Sequence, residues 1–280
     1  MAITPVPRYR AIAGPAVLSQ GFRPFFLLAA VWAVVALGLW LLIFWGYFGL
    51  PTAFDLTAWH IHEMVFGFVV AAIAGFVLTA IPNRTGRLPL QGWPLLGLVV
   101  LWAAGRAMVA CSAVVGVGLA AIIDIAFLVV LAAVAAREII IGKNWRNIPV
   151  VTALTLLAIC NALFHAGLYE SARYEMGVTS DFAWRLALSV VVMMIALIGG
   201  RIIPSFTGNW LAKRNEPRPS AFGRFDMLTL IVSGVALVLW SAAAPEPVVA
   251  GMLALAAIAN AVRLARWRGH RTLSEPLLWI

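Results

Sequence analysis

Long apolar runs follow one another along the chain, and polar or proline-containing junctions separate them. They span Pro24 to Gly49, Ala58 to Ile81, Pro94 to Ala113, Val117 to Ile141, Ile148 to Leu168, Ala183 to Ile203, Phe225 to Ala244 and Val248 to Trp267. Each is about 20 to 26 residues, enough for a helix to cross roughly 30 Å of hydrocarbon at about 1.5 Å per residue. The in–out alternation of a membrane barrel is missing. The pattern therefore predicts an all-α, polytopic transmembrane helical bundle with eight spans. Prolines stand at the expected borders (Pro24, Pro51, Pro82, Pro94, Pro149, Pro204, Pro247), where a missing N–H costs least. Aromatic residues cluster near the ends, among them Trp45, Tyr47, Trp93, Trp145, Tyr169 and Trp267, as at membrane interfaces. Residues 1–23 read as an N-terminal segment and 24–280 as a single transmembrane domain.

Composition strengthens this reading. Of 280 residues, 63% are hydrophobic and only 11% are charged, against about a quarter charged in soluble domains. Cys111 and Cys160 both fall inside apolar runs, so they form no disulfide framework. The N-terminus has no cleavable signal pattern. The net charge of +9 is unevenly placed. Arg8, Arg10, Arg23, Arg84, Arg87, Arg137, Lys143, Arg146, Arg201, Lys213, Arg214, Arg218, Arg224, Arg263, Arg266, Arg268 and Arg271 fall on the side of the N-terminus. Arg173 and Arg185 fall on the other, with Asp55, Glu170, Glu175, Asp181 and Glu246. This asymmetry predicts a cytoplasmic N-terminus. It accounts for the basic charge without a nucleic-acid partner, which would need a clustered soluble face.

Orientation assigns depth to the polar residues inside the spans. The second span starts on the outer side with "WHIHEMVFGF". His60, His62 and Glu63 then occupy its first two turns, with Asp55 and Thr57 as candidate N-caps. His62 lies about 8 Å below the outer surface, and His165, near the end of the fifth span, about 6 Å below it. Three of the four histidines thus share one slab, while His270 belongs to an inner basic loop. Such residues either bond headgroups and water or mark a site. On an ideal helix His60 and His62 point about 200° apart, so both reach one ion only if the first turn unwinds. His60, Met64, Gly67, Ala71 and Gly75 form a small-residue face suited to helix packing. His62, Phe66, Val69, Ile73 and Phe76 form a bulky face that meets either lipid or a flat apolar cofactor. His60, His62 and His165 are the candidate metal ligands, and at least one imidazole from each of the two spans should face a shared interior space. Glu63 is the candidate orienting or proton-carrying group, and Asn161, one turn before His165, a candidate support for it.

A second polar pair lies deeper. Arg106 and Asp124, on spans joined by the short turn "VVGVG", both come to about 18–20 Å above the inner surface. They are expected to pair, either as a structural ion pair or as a site for an anionic group such as a haem propionate. Met193 and Met194 read as packing residues.

Four blocks together resemble the NnrS family: "GFRPFFLLAA", "WHIHEMVFGFVVAAIAGFVLTAIPNRTGR", "NALFHAGLYE" and "GGRIIPSFTGNW". The resemblance implies a bacterial inner-membrane protein linked to nitric oxide and nitrosative stress, with haem and copper. It puts the family's histidines on His60, His62 and His165, its glutamate on Glu63, and its block arginines on Arg23 and Arg201. Arg23 and Arg106 thereby join the candidate cofactor contacts. With no CxxCH attachment motif, a haem would be non-covalent. Implied partners are the bilayer, nitric oxide or another small diatomic, and an electron donor. Such proteins have about twelve spans, so the chain is expected to stop at the start of a ninth, at "EPLLWI". Residues alone also allow a transporter or channel in which the histidines and Glu63 relay protons or a metal ion.

The orientation is directly testable. A reporter fused after Arg173 should be found outside, and one fused after Arg218 inside. The reverse pattern would overturn the depths measured from it.

Overall fold

The computed structural model describes residues 14–85, 89–170 and 176–275. Arg8, Arg10, Arg87, Arg173, Glu175 and the final five residues, used above, lie outside them. Among the described residues there is no strand, and eight helical stretches are long and apolar enough to cross a membrane: Phe22–Phe44, Leu56–Pro82, Trp93–Ala110, Val117–Ile141, Trp145–Glu170, Val178–Ala212, Arg224–Ser241 and Glu246–Arg266. The helices fall into two compact units, residues 1–187 and 188–280.

The first unit holds α1 (Phe22–Phe44), α2 (Leu56–His62), a π-helical turn (Glu63–Val69), α3 (Val70–Thr85), α4 (Trp93–Ala110), the one-turn α5 (Ser112–Val115), α6 (Val117–Ile141) and α7 (Ile148–Glu170), and it ends inside α8 (Val178–Ala212). α6 is its centre and packs on α4, α7 and α3, while α1 lies along α3 and the π turn. α1 stops five residues before the expected Gly49, because Gly46 takes φ +76° and turns the chain. The expected third span is split at Cys111, and Gly116, at φ +91°, makes the turn into α6. Asp55 alone caps α2, accepting from the backbone N–H groups of Thr57 and Ala58 at 2.8 and 2.9 Å. Thr57 is inside the helix.

The second span departs most from a plain helix. Between Ala58 and Gly75 its buried residues, Val65 apart, come in pairs at a spacing of four: Ala58 and Trp59, His62 and Glu63, Phe66 and Gly67, Val70 and Ala71, Ala74 and Gly75. On a straight α-helix a spacing of four drifts about 40° per step, which would soon carry the stripe off the core. The wider π turn takes part of that drift back and keeps all five pairs inward. This mixes the two faces expected from sequence: Gly67 joins His62 and Phe66 on the buried side.

The second unit contains the rest of α8 from Leu188, with α9 (Arg224–Ser241) and α10 (Glu246–Arg266). Asp226 in the first turn of α9 accepts from Arg263 Nε at 3.2 Å and faces Arg266 at 3.7 Å. Arg263 was grouped with the inner basic residues, yet it is buried and also donates to the Ala196 carbonyl at 3.1 Å. Asn260 donates to Ser233 Oγ at 2.8 Å. Two expected proline borders move inside helices: Pro82 lies in α3 and Pro204 in α8. α8 is 35 residues long, well beyond the hydrocarbon thickness. Each proline removes one ladder bond.

Gly105 sets the approach of α4 to α6: a Cβ there would stand 3.0 Å from Asp124 Oδ1 and 3.2 Å from Asp124 Cα. Gly105→Val should therefore sharply reduce the folded fraction in fluorescence-detected size exclusion. Gly97→Ala, where nothing lies within 4 Å, should leave it unchanged. Equal yields would show that the helices do not meet this closely.

Candidate functional site

Six polar residues from four helical stretches meet inside the first unit. Asp124, on α6, is the hub. Its Oδ2 accepts from Asn161 Nδ2 at 2.8 Å and contacts His165 Nε2 at 3.0 Å and His62 Nε2 at 3.1 Å. Its Oδ1 accepts from Arg106 Nη2. Arg106 Nη1 donates to both carboxylate oxygens of Glu63 at 3.0 Å. His62 closes the ring: its Nδ1 lies 3.1 Å from Glu63 Oε1, and its Nε2 also lies 3.1 Å from Asn161 Oδ1. All six are buried, His62 and Glu63 completely. In so apolar a setting a lone charge would be very costly, so each ionic group is held by partners.

Local structure explains the convergence. The π turn begins at Glu63, so His62 and Glu63 sit where the helix widens; π turns are frequent at functional sites. Gly67 supplies the space. A Cβ there would stand 2.8 Å from Glu63 Oε2 and from Trp32 Nε1, and 2.9 Å from Arg106 Nη1. Trp32 on α1 donates to Glu63 Oε2 at 2.7 Å, and Trp102 on α4 donates to the Gly67 carbonyl at 3.1 Å. Phe54, Phe66 and Phe164 wall His62, with ring centroids 5.3–5.5 Å away. The two imidazole rings are 5.1 Å apart.

The expected residues are thus divided. His62, His165, Glu63, Asn161, Arg106 and Asp124 come together. His60 does not join them: it lies against Trp40 at 4.4 Å between centroids, on the other side of the helix as the 200° offset implies. Arg23 is also outside the group, donating to the Ala16 carbonyl at 3.2 Å and facing the Phe22 ring. Arg201 and His270 are exposed residues of the second unit. Arg106 and Asp124 form the expected ion pair, and the same guanidinium also holds Glu63, a link not foreseen. The signal for it existed. A depth of about 18–20 Å above the inner surface is about 10–12 Å below the outer one, across roughly 30 Å of hydrocarbon. That is within one turn of His62 and Glu63. Nothing in spacing or depth pointed to Trp32 or Trp102.

Chemically, the group offers one nitrogen of His62, one carboxylate oxygen of Asp124 and one nitrogen of His165, all within 4.8 Å of one another. Two neutral imidazoles and a carboxylate suit a borderline transition metal such as copper or zinc. The remaining contacts resemble the outer hydrogen bonds that orient metal ligands: Glu63 on His62, and Arg106 and Asn161 on Asp124. A haem does not fit between the two histidines, whose rings share one aspartate oxygen and leave no planar slot.

The bridging role of Arg106 has a measurable consequence. Arg106→Glu and Asp124→Arg should each lower membrane levels of the protein, since breaking a buried pair costs on the order of 3–5 kcal/mol. For an isolated pair the double reversal would restore them. Here it should recover little, because Glu63 would face a second carboxylate, and adding Glu63→Gln should recover more. Full recovery by the double reversal alone would show that Arg106 does not hold Glu63.

Comparison with known proteins places this architecture. No curated protein and no solved structure matches the chain. The family model described as "NnrS protein" matches residues 16–280, a stretch that takes in the Trp32–Glu63 contact, the π turn, the buried histidines and all eight apolar helices. The chain belongs to the NnrS family.

Proposed function

We propose that this multi-pass membrane protein binds copper at His62, Asp124 and His165 and handles a nitrogen oxide there. The observation that carries the reading is the meeting of those three donor atoms, from three helical stretches, all on buried residues. Charge counting supports it. Glu63 and Asp124 face a single guanidinium, so one negative charge is left to be balanced by a proton or a metal cation on the imidazoles. Bound copper would supply one-electron chemistry. The chain's own part is to fix the ligands. Asp124 holds both imidazoles, Arg106 and Asn161 hold Asp124, and Glu63 holds the far nitrogen of His62. The aromatic wall of Phe54, Phe66 and Phe164 covers His62. Nitric oxide as the ligand, an inner-membrane location and a cytoplasmic N-terminus complete the proposal; they rest on family membership and on the charge asymmetry. The family's haem, if the protein carries one, belongs elsewhere than between these histidines.

A second reading, translocation of a proton or metal ion, is favoured by the unbroken row of contacts from His165 through Asp124 and His62 to Glu63. It predicts cation flux into proteoliposomes that His62→Ala abolishes.

For the copper reading, the chain purified in lipid nanodiscs and loaded anaerobically with Cu(I) should retain copper. After oxidation it should show nitrogen hyperfine splitting in its electron paramagnetic resonance spectrum. His62→Ala and His165→Ala should each remove the copper. Asn161→Ala should weaken binding about 10- to 100-fold, and His60→Ala should leave it unchanged. Copper absent from the parent protein, or lost with His60 but kept without His62, would overturn the assignment.

A further inference from the structure

The two imidazoles of the cluster differ in one respect. Both ring nitrogens of His62 are engaged by Glu63, Asp124 and Asn161. His165 uses only Nε2, on Asp124, and its Nδ1 makes no hydrogen bond to any described residue. His165 has a relative exposure of 7%, the largest of the six cluster residues. It also lines a cavity of about 200 Å³ on the side where α6 begins and α7 ends. Phe54, Val117, Gly118, Ala121 and Ala162 form much of the wall, and exposed Gly118, Ala166 and Tyr169 stand at the mouth.

We infer that this cavity binds a small uncharged molecule, which meets the cluster through the unbonded ring nitrogen of His165. Size, polarity and partner each constrain the ligand. About 150 Å³ of apolar space suffices for benzene or xenon, so a molecule of a few heavy atoms fits, and a macrocycle does not. No charged side chain lines the wall, so an ion would lose its hydration without compensation. The only polar ring on the wall is that of His165, with the phenol of Tyr169 at the mouth, and a ring nitrogen free to bond favours a ligand that has one atom able to bond it. The small residues Gly118, Ala121 and Ala162 leave the space open, and in an apolar helix such residues are otherwise used where another helix packs close. The ligand would approach from the outer face or the outer leaflet, and it would reach His165 before any other member of the cluster. The inference requires no metal, so it and the copper reading fail separately.

The test uses metal-free protein in nanodiscs, with diethylpyrocarbonate as a small neutral imidazole reagent and xenon as a reversible occupant. Mass spectrometry reads carbethoxylation at each histidine, and exposed His270 serves as the internal reference. His165 should be modified and His62 should not. Xenon pressure should slow modification of His165 in a saturable way. Gly118→Phe and Ala162→Leu should each slow it several-fold with His270 unchanged. Gly118 is a mild place to insert a side chain, since nothing lies within 4 Å of its Cβ position. Helix content and elution volume report whether each variant is folded. No modification of His165 in the parent, or modification indifferent to both substitutions, would overturn the proposal. Slowing by the substitutions with no xenon effect would identify a water-filled approach to His165, and would overturn the binding site equally.

Discussion

Two carboxylates share one guanidinium in the middle of an apolar bundle, and much else follows from that arrangement. Arg106 stands between Glu63 and Asp124, so three spans are tied by ionic contacts that lose most of their value if any one helix moves away. In a low-dielectric interior the desolvation of each group is recovered only when its geometry is complete. Asn161, Trp32 and the two histidines supply the other contacts of the carboxylates, and Arg106 Nε alone of the group's ionic atoms is left without a partner among the described residues. The same contacts that keep the charges tolerable also leave imidazole and carboxylate donors side by side. Stability and candidate chemistry are therefore not separable here: a change meant to probe a ligand also disturbs the network that holds three spans together.

Backbone structure is adapted to this node. The π turn widens the second span where His62 and Glu63 must face α6 and α7, and it keeps a stripe with a period of four on the buried side. Gly67 leaves the volume that Arg106, Glu63 and Trp32 occupy. Gly105 lets α4 approach the Cα of Asp124 closely enough for the neighbouring arginine to reach its carboxylate. The second unit repeats the device in a simpler form. Arg263 is buried on Asp226 and the Ala196 carbonyl, and Gly200 makes the room, since a Cβ there would collide with the Arg263 guanidinium. In both places the long cationic side chain needs a glycine opposite it, because a guanidinium is broad and cannot be compressed between two packed helices.

The sequence by itself determined the membrane architecture. Hydrophobic length is a one-dimensional property, and eight runs long enough to cross a bilayer are eight helical stretches in the structure, with boundary shifts at Gly46 and Cys111 and a sixth stretch that runs on through Pro204. It also determined a shared depth for His62 and His165, and the pairing of Arg106 with Asp124, because rise per residue converts position into depth and a short turn forces adjacency. What it left open was azimuth. Spacing gave His60 and His62 opposite directions but not which one faced the interior. Only packing against α6 and α7 chose His62, while Trp40 on α1 received His60. The π turn was invisible because its cause is tertiary: an α-helix is the lower-energy local choice, and the wider turn is held by the ionic contacts of Glu63 and by Trp102 on the Gly67 carbonyl. The join between the histidine group and the arginine pair was likewise decided by the fold, for one side chain reaching two carboxylates depends on how three helices rotate, and rotation leaves no trace in a pattern of lengths.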